Sequence, residues 1–361
     1  MTPPRRIALL SDFPEEQWPS MDRCFKMLHD GLRRDHADFE SSGVCPPFKH
    51  RLGFASRNAD RLLNRLWRYP RHAARISHRF DLFHVVDHSY SQLIHKLPAD
   101  RTGVFCHDLD TFRCVLDPAA EPRPRWFRAM VKHILRGFRK AGVVFFATRA
   151  VEAQILRHGL IEPSKLVHAP LGVSPAFTVA AGPAAGNYIL HVGSTIARKR
   201  IDVVLDAFAL LQSQNRSLRL MQVGGSWTEA QTAQIGRLGI GDSITQIRGI
   251  DEAELAKVYR GARVVLQTSD AEGFGLPVAE ALACGAPVVA SDIPVLREVG
   301  GDAALYAPVG DVHAFAEAAR RALDASQDVP VIEDRIKQAA RFSWESHCRI
   351  IADAYRRLHD R

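Results

Sequence analysis

The segment from Val264 to Ala290 constrains the fold more than any other part of the chain. Val264–Thr268 is a short apolar run of strand type, Leu276–Cys284 carries helical spacing, and Val288–Ala290 returns to strand character. Two strands joined by one short helix form a right-handed βαβ unit, which requires a parallel sheet. The same alternation runs through the chain. Ile7–Leu10, Leu82–Val86, Gly103–Cys106 and Val143–Ala147 read as buried strands in the first half; Tyr188–Val192 and Leu218–Val223 read so in the second. Such short apolar runs suit parallel strands covered on both faces. Thr148–His158 reads as a helix that closes near Gly159, and Ile201, Val204, Leu205, Phe208 and Leu211 recur at helical spacing. The small-residue stretch Ala180–Gly186, with Pro183 inside it, marks a boundary. At 361 residues there is length for two domains. The fold class expected is therefore α/β, with two doubly wound, Rossmann-like domains facing a cleft.

The loop inside the βαβ unit carries the chemistry. Gly273 and Gly275 allow backbone to approach a ligand closely, Pro277 suits a first helical turn, and Gly285 is placed to end the helix. Free N–H groups at the helix start form an anion site, at the strand end where open α/β sheets bind ligands. Glu272 lies in the loop and Glu280 inside the helix, so both can face one pocket; a carboxylate there suits sugar or ribose hydroxyls. A second strand-to-helix turn, Gly193–Arg200, carries Arg198, Lys199 and Arg200 in succession, well placed for a diphosphate.

These residues resemble a known family. Glu272 and Glu280 around Gly273-Phe274-Gly275-Leu276-Pro277 look like the E-x7-E motif of retaining glycosyltransferases of the GT-B fold, family 4, the glycosyl transferases group 1. His191-Val192-Gly193 followed by Arg198-Lys199 resembles that family's phosphate loop. Gly224-Gly225, Gly249 with the Asp251–Leu255 run, Gly285–Ser291 with Glu298, and Phe342-Ser343-Trp344 fit its spacing as well. Over residues 187–361 the match is dense. Over 1–186 it is thinner: His107-Asp108 after a strand, and the Leu171–Phe177 junction. The resemblance implies an acceptor-binding domain at 1–175, a nucleotide-sugar-binding domain at 176–340, and a C-terminal helix at 341–361 that packs back on the first domain.

It further implies a hexosyltransferase that retains anomeric configuration and needs no metal or other cofactor. The donor would be a GDP- or UDP-linked sugar, such as GDP-mannose or a UDP-hexose, and the acceptor a glycan or a lipid-linked glycan in surface polysaccharide or glycolipid synthesis. Arg198 and Lys199 would hold the diphosphate. Glu272 would lie near the transferred sugar and Glu280 at the ribose. Gly193, Gly249, Phe274, Gly275 and Leu276 would complete the donor pocket, and His107 would reach the reacting centre from the first domain. Two departures stand out: Ser194 where many members carry Arg, and a loop over residues 11–21 without glycine. The rival readings are a sugar-nucleotide epimerase or phosphorylase of the same fold, which the paired glutamates disfavour, and a basic nucleic-acid-binding protein. The latter lacks any recognisable module.

Net charge is +8, and it is divided unevenly: +10 over residues 1–170 and −2 over 171–361. Arginines 51, 57, 61, 65, 68, 71, 75 and 79 form one basic run, several of them four apart, as on one helical face. Arg125, Arg128, Lys132, Arg136, Arg139 and Lys140 form another, beside Trp126 and Phe127. Basic amphipathic helices suit an anionic membrane surface. The six cysteines have no metal-like spacing, no stretch resembles a signal peptide, and no apolar run has spanning length. A cytoplasmic protein, peripheral at the inner membrane face and without a nucleic-acid partner, is expected.

Overall fold

A computed structural model describes residues 3–50, 57–180 and 186–359. The chain divides into two compact units: Met1–Gly172 with Trp344–Arg361, and Val173–Ser343. The divisions fall a few residues from 175/176 and 340/341, and the last helix, Trp344–His359, belongs with the N-terminal unit. There it packs on helix Pro19–Asp35, and its Tyr355 donates to the Phe83 carbonyl at 2.9 Å. The small-residue boundary reading lies mostly outside the described residues, at Ala181–Ala185.

The N-terminal unit holds a parallel sheet of β1 (Arg5–Leu10), β2 (Phe39–Val44), β3 (Leu82–Val85), β4 (Thr102–Cys106), β5 (Val143–Phe146) and β6 (Leu166–His168), in the order β2-β1-β3-β4-β5-β6. The C-terminal unit holds β7 (Tyr188–Val192), β8 (Arg219–Val223), β9 (Ile244–Ile247), β10 (Val264–Gln267), β11 (Val288–Ser291) and β12 (Leu305–Ala307), in the order β12-β11-β10-β7-β8-β9. Both orders reverse direction beside the unit's first strand. In doubly wound sheets such a switch point opens a crevice beyond the strand ends. It lies between β1 and β3 in one unit and between β7 and β10 in the other.

Every strand expected from an apolar run is present. The four not expected, β2, β6, β9 and β12, are the four sheet edges. Edge strands are covered on fewer sides, so their residues need not be apolar: β9 reads Ile-Thr-Gln-Ile with no fully buried residue, and three of the six β2 residues are exposed or half-buried.

Helix Arg149–Arg157 starts where expected because Thr148 caps it, accepting from Val151 N–H. The first basic run is less uniform than its spacing suggests. Arg65 turns inward, donating to the Ser89 carbonyl at 2.5 Å and lying 3.5 Å from the buried Glu16 carboxylate, with Arg61 3.6 Å from the same group. Arg71, Arg75 and Arg79 are exposed. Arg51 and the Arg57 side chain lie outside the described residues.

Candidate functional site

The loops after β7 and β10 meet at the C-terminal unit's switch point, and the chain ties them together there. The Thr268 hydroxyl donates to the carbonyls of Lys199 (2.8 Å) and Arg200 (3.0 Å), and Asp270 N–H donates to the Arg198 carbonyl at 2.9 Å. Arg200 adopts the left-handed conformation between the turn Ala197–Lys199 and helix Ile201–Gln214. Three expected residues come together here. Lys199 Nζ lies 2.5 Å from Glu272 Oε1, and Arg198 lies 3.6 Å from Glu272 Oε2 while donating to the Ala271 carbonyl at 2.9 Å.

Glu272 is held from beneath by residues the sequence reading passed over. Gln267 Nε2 and the Ser269 hydroxyl each donate to Glu272 Oε1 at 2.7 Å. Both are fully buried. Their signal was available: two polar side chains where an apolar strand gives way to the loop. Burial alone would raise the Glu272 carboxyl; Lys199 and Arg198, with hydrogen bonds from Lys199 and Ser269, outweigh it and hold the group below the ordinary glutamate value. Lys199 is only 8% exposed, so the pair is buried and well braced. His191, at the end of β7, is fully buried with neither ring nitrogen hydrogen-bonded, and burial, with Lys199 adding and Glu272 opposing, lowers it to about 3. It is therefore neutral beside a cation.

Glu280 sits on helix Leu276–Ala283, 3% exposed, and accepts from the Tyr259 hydroxyl at 3.0 Å. Pro277 occupies the first turn of this helix, and Gly275 opens it at φ +92°. A Cβ on Gly275 would lie 2.6 Å from Leu296 Cδ2. Phe274 is buried against Phe342, with ring centroids 5.3 Å apart. Leu276 is the first residue of the helix. Gly275→Ala therefore combines a strained backbone angle with a steric clash. Loss of nucleotide affinity with the rest of the fold retained is the expected result, checked by titration and circular dichroism; unchanged affinity would remove the close-approach role of this loop.

Gly193 directly follows β7, and Gly249 lies two residues past β9. Gly193 N–H donates to the Val223 carbonyl, and its own carbonyl accepts from Gln222 Nε2, both at 2.9 Å. A Cβ on Gly224 would stand 2.7 Å from the Gly193 carbonyl oxygen, so these two loops cross at backbone contact. Gly249 has φ +70° and faces open space. Among the described residues no group of three His, Cys, Asp or Glu side chains is placed to hold a metal ion.

His107 belongs to the other unit, just past β4. Its Nε2 donates to the Val86 carbonyl at 2.9 Å. Burial, against Asp87 and with His88, lowers its pKa. The N-terminal switch point is built from residues the sequence reading missed. Asp12 follows β1 and Asp87 follows β3. His88 Nδ1 lies 3.2 Å from Asp87, and its Nε2 lies 3.7 Å from Asp108. Burial and then Asp87 push the Asp12 carboxyl well above the ordinary aspartate range, with Arg65 opposing. Asp87 is held low because hydrogen bonds from His88 and Ser89 outweigh its burial. Asp12 is 5% exposed, and neither of its oxygens is hydrogen-bonded. The glycine-free loop instead supplies Phe13, whose ring packs on Tyr69 and Phe48, each at 5.3 Å between centroids.

Two parallel six-stranded sheets of this order, flanked by helices, match the GT-B architecture. Sucrose-phosphate synthase from Thermosynechococcus elongatus superposes with a TM-score of 0.76 over 98% of this chain and 99% of that one, at 21% identity. Residues 180–341 match the family described as glycosyl transferases group 1, and that segment belongs to it. It is 28% identical to O-antigen chain mannosyltransferase B of Escherichia coli over 283 residues, 74% of this chain and 72% of that enzyme. It is 29% identical to the MMP alpha-(1->4)-mannosyltransferase of Mycolicibacterium hassiacum over 229 residues, 62% of this chain and 55% of that enzyme. Further curated relatives are matched over 42–43% of their own lengths, so the chain spans about half or less of several of them.

Proposed function

We propose that this protein transfers a hexose from a nucleoside diphosphate sugar to an acceptor hydroxyl with retention of configuration, in the synthesis of a surface polysaccharide or glycolipid. The observation that carries the reading is the buried Lys199–Glu272–Arg198 cluster at the β7/β10 switch point. An ammonium and a guanidinium fixed beside helix N–H groups stabilise negative charge as it develops on a departing diphosphate. Lys199 has three donors and spends one on Glu272, which leaves two for phosphate oxygens. The bond from the anomeric carbon to the diphosphate oxygen breaks, the acceptor oxygen bonds to the same face, and its proton passes to the departing phosphate.

In this reading Glu280 takes the ribose hydroxyls, Glu272 borders the transferred sugar, and the backbone of Gly193, Gly249, Phe274, Gly275 and Leu276 shapes the donor pocket. His107 contacts the sugar, and the Asp12–Asp87 switch point receives the acceptor. Cations stand in the place that a divalent metal would otherwise fill, so metal-independent transfer is expected. Mannose is favoured among hexoses because two of the similar enzymes are mannosyltransferases; GDP-mannose and UDP-hexoses are the donors to compare. The acceptor is read as a lipid-linked or growing glycan presented at the inner membrane face.

Thermal stabilisation across a panel of nucleotide sugars tests the donor class, since a ligand bound only to the folded state raises its apparent stability. One base and sugar should stand out, and chelator should leave the shift unchanged. A panel with no shift would remove the reading.

The site also predicts an acid response. His191, His84 and His347 are buried and lowered, by burial first, to about 3, 3 and 4. A histidine lowered in the folded state binds its proton more readily when unfolded, so stability is full above about 6.5 and falls as pH drops below it. Each contributes about 1.4 kcal/mol per pH unit in that window. Calorimetric Tm should therefore fall steadily from pH 7 to pH 5. A flat profile would show that these histidines are not held neutral.

A further inference from the structure

A cavity of about 510 Å³ opens on the N-terminal unit, away from the residues assigned above. It lies between the π-helical turn Asn64–Arg68, helix Tyr69–Ile76, the segment His88–Lys96 and helix Arg125–Lys140. Gly137 lets the last two elements touch: a Cβ there would stand 2.0 Å from the Ser91 carbonyl oxygen. That contact sets His133 beside His95, with rings stacked at 4.4 Å and His95 Nε2 donating to the His133 carbonyl at 3.0 Å.

The cavity is built for an anion. Arg71, Lys96 and Arg136 stand exposed around it with the two imidazoles, and none of its lining residues is a carboxylate. At its base Gln92, 1% exposed, donates through Nε2 to the Arg65 carbonyl, while its Oε1 is buried and not hydrogen-bonded.

Two exposed indoles decide between a free phosphate ester and a lipid. Trp67 lines the cavity, 49% exposed, with the Arg71 guanidinium 3.7 Å from its ring centroid. Trp126, 61% exposed, opens helix Arg125–Lys140, whose outward residues include Arg125, Lys132, Arg136, Arg139 and Lys140 and whose sequence contains no acid. Tryptophan sits favourably at headgroup depth, where its apolar body and polar N–H are both satisfied. A small soluble anion leaves the apolar body of an exposed indole in water.

We propose that this cavity seats the phosphate of an anionic phospholipid, and so docks the N-terminal unit on a membrane surface. The proposal rests on the reading that the acceptor is presented at a membrane, and it adds a discrete headgroup site to the diffuse attraction of the basic helices.

The test is vesicle co-sedimentation at fixed salt, with phosphatidylcholine alone and with one third phosphatidylglycerol. The wild-type chain is compared with Arg71→Ala/Arg136→Ala and with a control pair of equal charge outside the cavity, Arg125→Ala/Lys132→Ala. Binding only to the anionic vesicles is expected, and the cavity pair should lose roughly tenfold more affinity than the control pair, because diffuse attraction treats cations on one face alike. Equal losses in the two pairs would overturn the site. So would vesicles that fail to bind while glycerol phosphate alone stabilises the protein, which would identify a soluble ligand. Nucleoside diphosphate binding, measured on every variant, should be unchanged. A wild-type chain that binds nucleotide but no vesicles fails this proposal alone; a wild-type chain that binds anionic vesicles but no nucleotide fails only the donor reading.

Discussion

Arg198→Ala/Lys199→Ala is expected to lower turnover by about 10²–10³-fold, the cost of removing fixed charge stabilisation from a developing anion. The effect needs separating from structural damage. Lys199 is the close partner of Glu272, whose side chain is 7% exposed, and stripping a buried carboxylate of its cation destabilises by about 3–5 kcal/mol. Lys199→Ala combined with Glu272→Gln removes the stranded charge, and Gln267 and Ser269 can still donate to the remaining carbonyl. Thermal stability should recover in this double variant while turnover stays low. Recovery of both would reduce Lys199 to a structural ion pair, and near-normal rates in Arg198→Ala/Lys199→Ala would remove the diphosphate role altogether.

Glu280→Gln should cut affinity for ribonucleoside diphosphates by about 10–100-fold, the worth of hydrogen bonds to a charged acceptor. Its carboxylate is nearly buried and already accepts from Tyr259 at 3.0 Å, so the amide keeps that bond and the packing. What it loses is a second charged acceptor for the ribose. The discriminating ligand is the 2′,3′-dideoxy nucleotide. Wild-type protein should bind it as weakly as the variant binds the natural nucleotide, and the variant should barely distinguish the two. Equal losses for both ligands would place the effect of Glu280 in folding and not at the ribose.

The sequence was most legible where physics leaves least choice. Central strands such as β7 and β10 are covered on both faces and are largely apolar, so they show as runs; β2, β6, β9 and β12 lie at sheet edges and do not. Gly275 and Pro277 were legible because glycine suits a left-handed loop end and proline suits a first helical turn. The pairing of Lys199 with Glu272 was not, because it joins residues distant in sequence through strand order, and β7 and β10 become neighbours only when the sheet forms. Asp12 and Asp87 escaped for the same reason: β1 and β3 are neighbours in the sheet but not in the chain. The first arginine run shows the limit of helical periodicity. Spacing placed Arg65 with its neighbours, while the buried Glu16 carboxylate draws it inward.

We propose that the β7/β10 switch point holds a nucleoside diphosphate. Calorimetric titration of GDP and UDP into the wild-type chain and into Arg198→Ala/Lys199→Ala tests it directly. One of the two nucleotides should bind the wild-type protein at a single site, with affinity at least about tenfold lower in the variant, as expected when charge-assisted contacts to phosphate are lost. Equal affinity in the two proteins, or no binding of either nucleotide to the wild-type chain, would contradict it.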